Sequence, residues 1–175
     1  MKSDYRIRAE RFIAEIYPYI CEFPTNRMYY RRAVNRFNHE HHNRRVECSN
    51  GAVRIALITS DYVVKFNYDE NEAHEYGGCE DEVNFYQFAT EMGFQHLFAE
   101  VTPFVYKGHM FCIMPRINGI ERYEGRYAEE FMTCEDAAFI REYMNDTHSG
   151  NYGWKNKYPI IIDYAFTNDV CDRRW

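Results

Sequence analysis

Five polar residues of this 175-residue chain have the types and spacing to handle phosphate: Lys65, Glu82, Asp146, Asn151 and Asp163. Three of them lie in one stretch, Asn145–Tyr164, which reads N-D-T-H-S-G-N-Y-G-W-K-N-K-Y-P-I-I-I-D-Y. Asp146 and Asn151 flank the turn-forming pair Ser149-Gly150, and the apolar run Ile160-Ile161-Ile162 leads into Asp163. An acid at the end of a short β-branched run is carried to the rim of a sheet, where ligands are met. A carboxylate there can take a proton from a hydroxyl, and a carboxylate with an amide oxygen can hold a divalent cation. Lys65 sits inside a β-branched run, V-V-K-F (Val63–Phe66). Burying an unpaired ammonium is costly, so Lys65 either faces an anion or lies on an exposed strand face. Glu82, near the start of the next helical pattern, is its candidate partner.

The elements that must position these residues follow from periodicity. Ser3 is placed to cap a first helix whose stripe is Ile7, Phe12, Ile13 and Ile16, with Pro18 ending or kinking it. Thr25 is placed to cap a second, with Met28, Tyr29, Val34 and Phe37 inward and the arginines outward. Ser49-Asn50-Gly51-Ala52 reads as a turn, Val53–Ile58 and Tyr62–Phe66 as antiparallel strands. A helix over Glu80–Met92 follows, with Val83, Tyr86 and Phe85 or Phe88 inward, ended by Gly93. Val101–Tyr106 and His109–Met114 pair as a hairpin around Lys107-Gly108, and Pro115 stops the second strand. Ile117–Tyr127 is a loop or short helix. Glu135–Asn145 is a helix with Ala138, Phe139, Tyr143 and Met144 inward. Helices, strands, helix, strands, helix, strand is the order of an α+β domain on an antiparallel sheet.

Composition narrows the class. The chain is 46% hydrophobic and 18% aromatic, enough for a core built from large rings. A net charge of −6 argues against a generic nucleic-acid binder. Six cysteines (21, 48, 79, 112, 134 and 171) show no C-x-x-C, which predicts reduced thiols, mostly core fillers, in a cytoplasmic protein. No run is long enough for a membrane span. Charge is uneven: Arg27, Arg31, Arg32, Arg36, Arg44 and Arg45 crowd residues 27–45, and seven acids without a Lys or Arg fill residues 69–82. Either segment is a candidate surface for a protein partner. In the group His39, Glu40, His41, His42, only His39 and His42 can share a helix face, so a polar helix end is expected rather than a metal centre.

The order Lys65, Glu82, Asp146, Asn151, Asp163 resembles the protein-kinase-like fold over residues 46–165. V-V-K-F looks like the lysine strand of kinases, and D-T-H-S-G-N (Asp146–Asn151) looks like the D-x-H-x-G-N catalytic loop of atypical kinases. Asp163-Tyr164-Ala165 stands in for D-F-G, and Met114-Pro115-Arg116 stands where the adenine hinge would be. The resemblance implies that Lys65, paired with Glu82, grips the phosphates of ATP, that Met114 and Gly51 contact the nucleotide, and that Asn151 and Asp163 hold Mg2+. It implies Asp146 as the base. The chain departs from the pattern in its glycine-rich loop, reduced to S-N-G-A with Gly51 alone, and in Met144, Asn145 and Ala165, which replace His, Arg and Gly.

The expected organisation is an N-terminal helical extension packed on the lobe (1–45), a kinase-like N-lobe of sheet plus one helix (46–115) and a much reduced helical C-lobe (116–175). With ten residues after Ala165, no full activation segment or peptide groove is expected. The expectation is a kinase-like ATP- and Mg2+-binding protein, a minimal phosphotransferase toward a protein. The alternative is an inactive pseudokinase working as a protein-interaction or host-modulating module.

Overall fold

The computed structural model describes residues 4–165 other than 25, 43, 52, 70–72, 74–76, 120–123 and 146. The chain forms two compact units, Met1–Cys79 with Val101–Arg116, and Glu80–Glu100 with Ile117–Trp175. No helix among the described residues is long and apolar enough to cross a membrane.

The first unit is a five-stranded antiparallel sheet under two helices. Helix α1 spans Asp4–Ile20 and α2 spans Arg27–Glu40. The strands are β1 (Glu47–Asn50), β2 (Arg54–Ile58), β3 (Tyr62–Asn67), β4 (Thr102–Tyr106) and β5 (His109–Pro115), in the order β1-β2-β3-β5-β4. Side chains alternate across a strand, so register decides which face each residue serves. Ile55, Leu57, Val64, Phe66, Phe111 and Ile113 share the core with Phe12, Ile13, Ile16, Ile20, Tyr30 and Phe37 of the helices. Lys65 lies opposite Ala56 of β2 and Cys112 of β5, and Val63 opposite Met114, which puts Lys65 and Met114 on the other face.

Several local expectations shift by a residue or two, each for a packing reason. Ile7 is 39% exposed and Ala9 takes its place on the stripe. Five residues ahead of Phe12, Ile7 points about 140° away from it around the helix. Pro18 does not end α1, because the turn containing it buries Tyr17 and Ile20. Asn26 caps α2 by accepting from the Met28 N–H at 3.0 Å, and Thr25 lies outside the described residues, as does Ser3. Met28 is 50% exposed and Tyr29 half-buried, while Tyr30, Ala33, Val34 and Phe37 keep the 3–4 spacing and go inward. Ser49 and Asn50 belong to β1, and the Gly51 N–H donates to the Arg54 carbonyl at 2.8 Å. Of the described cysteines, Cys79 and Cys112 are buried, Cys21 and Cys134 are exposed and Cys48 is half-buried, all free thiols. Cys171 lies outside the described residues.

The second unit is built from helix α3 (Cys79–Glu91, beginning one residue earlier), helix α4 (Cys134–Tyr143) and a small antiparallel sheet β6-β7-β8. Its strands are Asn118–Gly119, Tyr152–Lys155 and Tyr158–Ile161. The acids 80–82 thus start a helix and are not part of a loop. The β7–β8 hairpin was not expected: Asn156 and Lys157 turn it with φ of 54° and 66°, and no glycine marks the place. Gly153 lets β6 approach β7, since a Cβ there would meet the Asn118 carbonyl at 2.7 Å. Residues 117–127, read as loop or short helix, supply β6 and the start of a 3₁₀ segment, Glu124–Phe131. On α3 the inward residues are Glu82, Phe85, Phe88 and Ala89, with Val83 and Tyr86 half-buried. On α4 Ala137, Phe139 and Ile140 are buried; Ala138 is exposed and Tyr143 half-buried, the stripe being rotated by one residue. Gly93 ends the helix region with φ of 84°, its N–H donating to the Thr90 carbonyl at 3.1 Å. Rings of Phe85, Phe98, Phe139 and Tyr164 pack together, with Phe85 5.2 Å from Phe98 and Phe98 5.1 Å from Tyr164.

Candidate functional site

Lys65 is only 6% exposed, in the third of five strands and hydrogen-bonded on both sides through β2 and β5. The exposed-face alternative for this residue is therefore excluded. A lysine is placed there at a real desolvation cost, and its long stem is what the apolar neighbours tolerate. Around it on the same face, the Cys112 thiol donates to the Cys79 carbonyl at 3.2 Å, and the Cys79 N–H donates to the Asn67 side-chain oxygen at 3.0 Å. Both bonds lie within the first unit, to which Cys79 belongs. Met114 is buried one residue before the end of β5, and Gly51 is exposed in the β1–β2 turn.

In the second unit, three candidate residues come from distant parts of the chain and are tied by backbone bonds. Glu82 is 0% exposed on α3. Its Oε1 accepts from the Tyr164 N–H at 3.4 Å, the residue after Asp163. Asn151 is 6% exposed in a 3₁₀ turn, Ser149–Asn151, and its carbonyl accepts from the Ile162 N–H at 2.7 Å, the residue before Asp163. His148 opens that turn, its Nδ1 accepting from the Gly150 N–H at 3.0 Å. Asp163, half-buried, is thus held from both sides: by Asn151 through Ile162 and by Glu82 through Tyr164. The Tyr164 hydroxyl adds a bond to the Ala99 carbonyl at 2.6 Å. Asp146 lies outside the described residues.

An amide oxygen and a carboxylate from adjacent, bonded strands of chain are a donor set that suits Mg2+, which takes one or two protein ligands and completes its shell with water and phosphate. Among the described residues there is no group of three or more His, Cys, Asp or Glu that could hold a metal unaided. His39 and His42 lie edge to face with ring centres 5.9 Å apart, while the His41 ring stacks on Phe37 at 4.5 Å.

Sequence reasoning missed one polar cluster altogether. Asp136, 5% exposed, bonds through Oδ1 to His96 Nε2 at 3.0 Å and through Oδ2 to the Tyr158 hydroxyl. Thr133 caps α4 by accepting from the Asp136 N–H at 3.1 Å. Burial pushes the Asp136 carboxyl up, yet the hydrogen bonds from Tyr158 and Thr133 and the charge of His96 together hold it below its ordinary value. Burial, and then the bond to Asp136, push Tyr158 up to about 12. The signal was present as T-C-E-D, an acid three residues after a capping threonine, the spacing of a capping box. His96 and Tyr158 carry no such local mark.

No family model matches the chain, and no curated protein matches it. Solved structures of WbdD are similar to it. One is WbdD with a kinase inhibitor, at a TM-score of 0.37 and 16% identity, covering 70% of this chain and 32% of that one. Another is described as the bifunctional kinase-methyltransferase WbdD, at a TM-score of 0.37 and 15% identity, covering 66% of this chain and 30% of that one. This chain therefore spans about a third of the length of those chains, and a likeness of that size carries no activity to it.

Proposed function

We propose that this protein is a kinase-like binder of ATP and Mg2+, with the residues of a minimal phosphotransferase toward a protein substrate. The observation that supports it is the convergence in the second unit: Glu82, Asn151 and Asp163 are brought to one segment by the bonds through Ile162 and Tyr164. Random polar residues at those sequence distances would have no reason to meet. The buried Lys65 adds an ammonium suited to phosphate oxygens.

In this reading Lys65 grips phosphate oxygens, and Asn151 with Asp163 would hold Mg2+. The cation, when bound, neutralises charge on the transferred phosphate. Asp146 would orient the acceptor hydroxyl and accept its proton as the oxygen attacks phosphorus. Holding these groups in place supplies most of what phosphoryl transfer asks of a protein.

A second reading, nucleotide binding or partner binding without turnover, is favoured by the β1–β2 turn. The N–H of its single glycine already donates to the Arg54 carbonyl, so it does not point to a phosphate. Partner binding would then fall to the exposed Arg31, Arg32 and Arg36 of α2.

A thermal-shift titration of the full chain with ATP and Mg2+ tests the reading. Saturation at 100 times Kd stabilises by about 2.7 kcal/mol. Lys65→Met and Asp163→Asn should each remove most of the shift. No shift with Mg2+ or Mn2+ would sink the nucleotide reading. Given binding, ATP turnover in the Asp146→Asn variant separates the two forms: equal rates in variant and parent remove Asp146 from the mechanism.

A further inference from the structure

A group of arginines comes together within the first unit, and Lys65 is not among the residues around it. A cavity of about 640 Å³ opens beside the helices and the β2–β3 turn. Four arginines line it: Arg8 and Arg11 from α1, and Arg44 and Arg45 from the segment between α2 and β1. Arg8 and Arg11 are three residues apart and so share a helix face. Ser60 lies on the turn, and the floor is aromatic, with Phe12 fully buried and Tyr62 nearly so, their rings 5.8 Å apart.

The charges are incompletely balanced. Arg8 pairs with Asp61, the one carboxylate in the lining, and with Asp4; its Nε lies 3.0 Å from Asp61. Arg44 pairs with Glu15. Arg11 and Arg45 are exposed and have no ion pair among the described residues. The existing pairs hold two of the guanidinium groups in place, and the other two stay available. Guanidinium groups repel one another where they converge, and a bound anion offsets that repulsion. Planar forks of donors match the oxygens of phosphate two at a time. The volume is that of a small-molecule site, and a folded nucleic-acid duplex would instead need an extended basic stripe, which a chain of net charge −6 does not favour.

We propose that this cavity binds a small molecule carrying two or more linked phosphate groups, with Arg11 and Arg45 as its principal contacts. The site is separate from the nucleotide reading and does not depend on it. Lys65 is not in its lining.

Isothermal titration of the full chain with sodium tripolyphosphate, without metal, tests this at low and at physiological ionic strength. Binding should be seen at both and should weaken with salt. The Arg11→Gln/Arg45→Gln double variant should lose roughly tenfold or more in affinity. Both residues are exposed and outside the core, so circular dichroism and thermal midpoint should match the parent. Arg31→Gln/Arg32→Gln, on α2 and outside the cavity, should leave binding unchanged. Three results would each overturn the proposal: no heat or shift with tripolyphosphate, equal binding of citrate, or equal weakening by the Arg31/Arg32 pair, which would reveal a diffuse basic surface. Tighter binding of a short RNA than of tripolyphosphate would also overturn it.

Discussion

The two units solve the same problem by different means. The first buries rings and β-branched residues over a continuous five-stranded sheet, and its helices contribute Phe12, Tyr30 and Phe37 to that core. The second has a sheet of three short strands and draws on buried polar groups, Glu82, Asp136 and Asn151, to join its segments. A hydrophobic core is indifferent to pH, whereas a carboxylate held by hydrogen bonds is not. A buried carboxylate also specifies its neighbours, because leaving it unsatisfied is costly. The difference shows why candidate binding residues concentrate in the second unit: precise placement there is already achieved by polar bonds.

The largest effect should come from the first unit's core. Phe66→Ala removes a fully buried ring that lies 5.3 Å from Tyr30 and 5.5 Å from Phe23, and it should cost about 3–5 kcal/mol in urea unfolding. A loss below 1 kcal/mol would show that this core is loosely packed and would remove the contrast.

Next comes the polar cluster of the second unit. Asp136→Ala strips partners from His96, Tyr158 and the start of α4, and should cost about 1.5–3 kcal/mol. Hydrogen exchange should quicken in α4 and β8 and stay unchanged in β2, β3 and β5. Exchange that quickens equally everywhere would mean one cooperative whole.

The pH dependence sharpens the same contrast. The native pKa of Asp136 is below its ordinary 3.8, so the unfolded chain holds the proton more tightly. Its contribution is present above pH 4 and is lost as pH falls through the native value. Asp136→Asn should flatten that acid loss. At the alkaline end the units should behave alike. Burial pushes Tyr62 of the first unit and Tyr152 of the second up from 10 to about 12. Their contributions are full below pH 10 and vanish as pH rises through 12. An acid loss of exchange protection around Asp136 in the second unit, removed by Asp136→Asn, is the expected result.

Helix caps give a smaller matched pair. Asn26→Ala at α2 and Thr133→Ala at α4 should each cost about 1 kcal/mol. The Thr133 change should cost more, because its hydroxyl also supports the Asp136 carboxylate. The smallest effect belongs to the exposed pair Arg36–Glu40, 2.9 Å apart on α2. Arg36→Gln should leave the thermal midpoint within error, and a clear drop would show that surface charge stabilises the first unit.

Much of the architecture could be read from the chain. The apolar and β-branched runs Val53–Ile58 and Tyr62–Phe66 and the Lys107-Gly108 turn mark the strands, because residue type and turn residues are local properties. The segment α3 was readable as a helix from its period and from Gly93. Less readable were the faces: Ile7, Met28 and Ala138 were each placed inward and are exposed, since several apolar residues compete for one stripe and packing chooses among them. The β7–β8 hairpin turns on Asn156-Lys157, a pair without glycine, so no local cue announced it.

The residues of the candidate site divide along the same line. Residue type and order alone singled out these residues: Lys65 because an ion inside an apolar run is anomalous wherever the chain goes, Asp163 as an acid ending such a run, and Glu82 and Asn151 by their order in the kinase-like pattern. The burial of Lys65, and the bonds that join Glu82 and Asn151 to the residues on either side of Asp163, belong to tertiary structure. So do the Asp136 cluster and the arginine-lined cavity, whose members lie tens of residues apart. Periodicity reports on neighbours three or four residues away, whereas convergence of distant charges depends on strand register and helix packing, which only the folded chain decides.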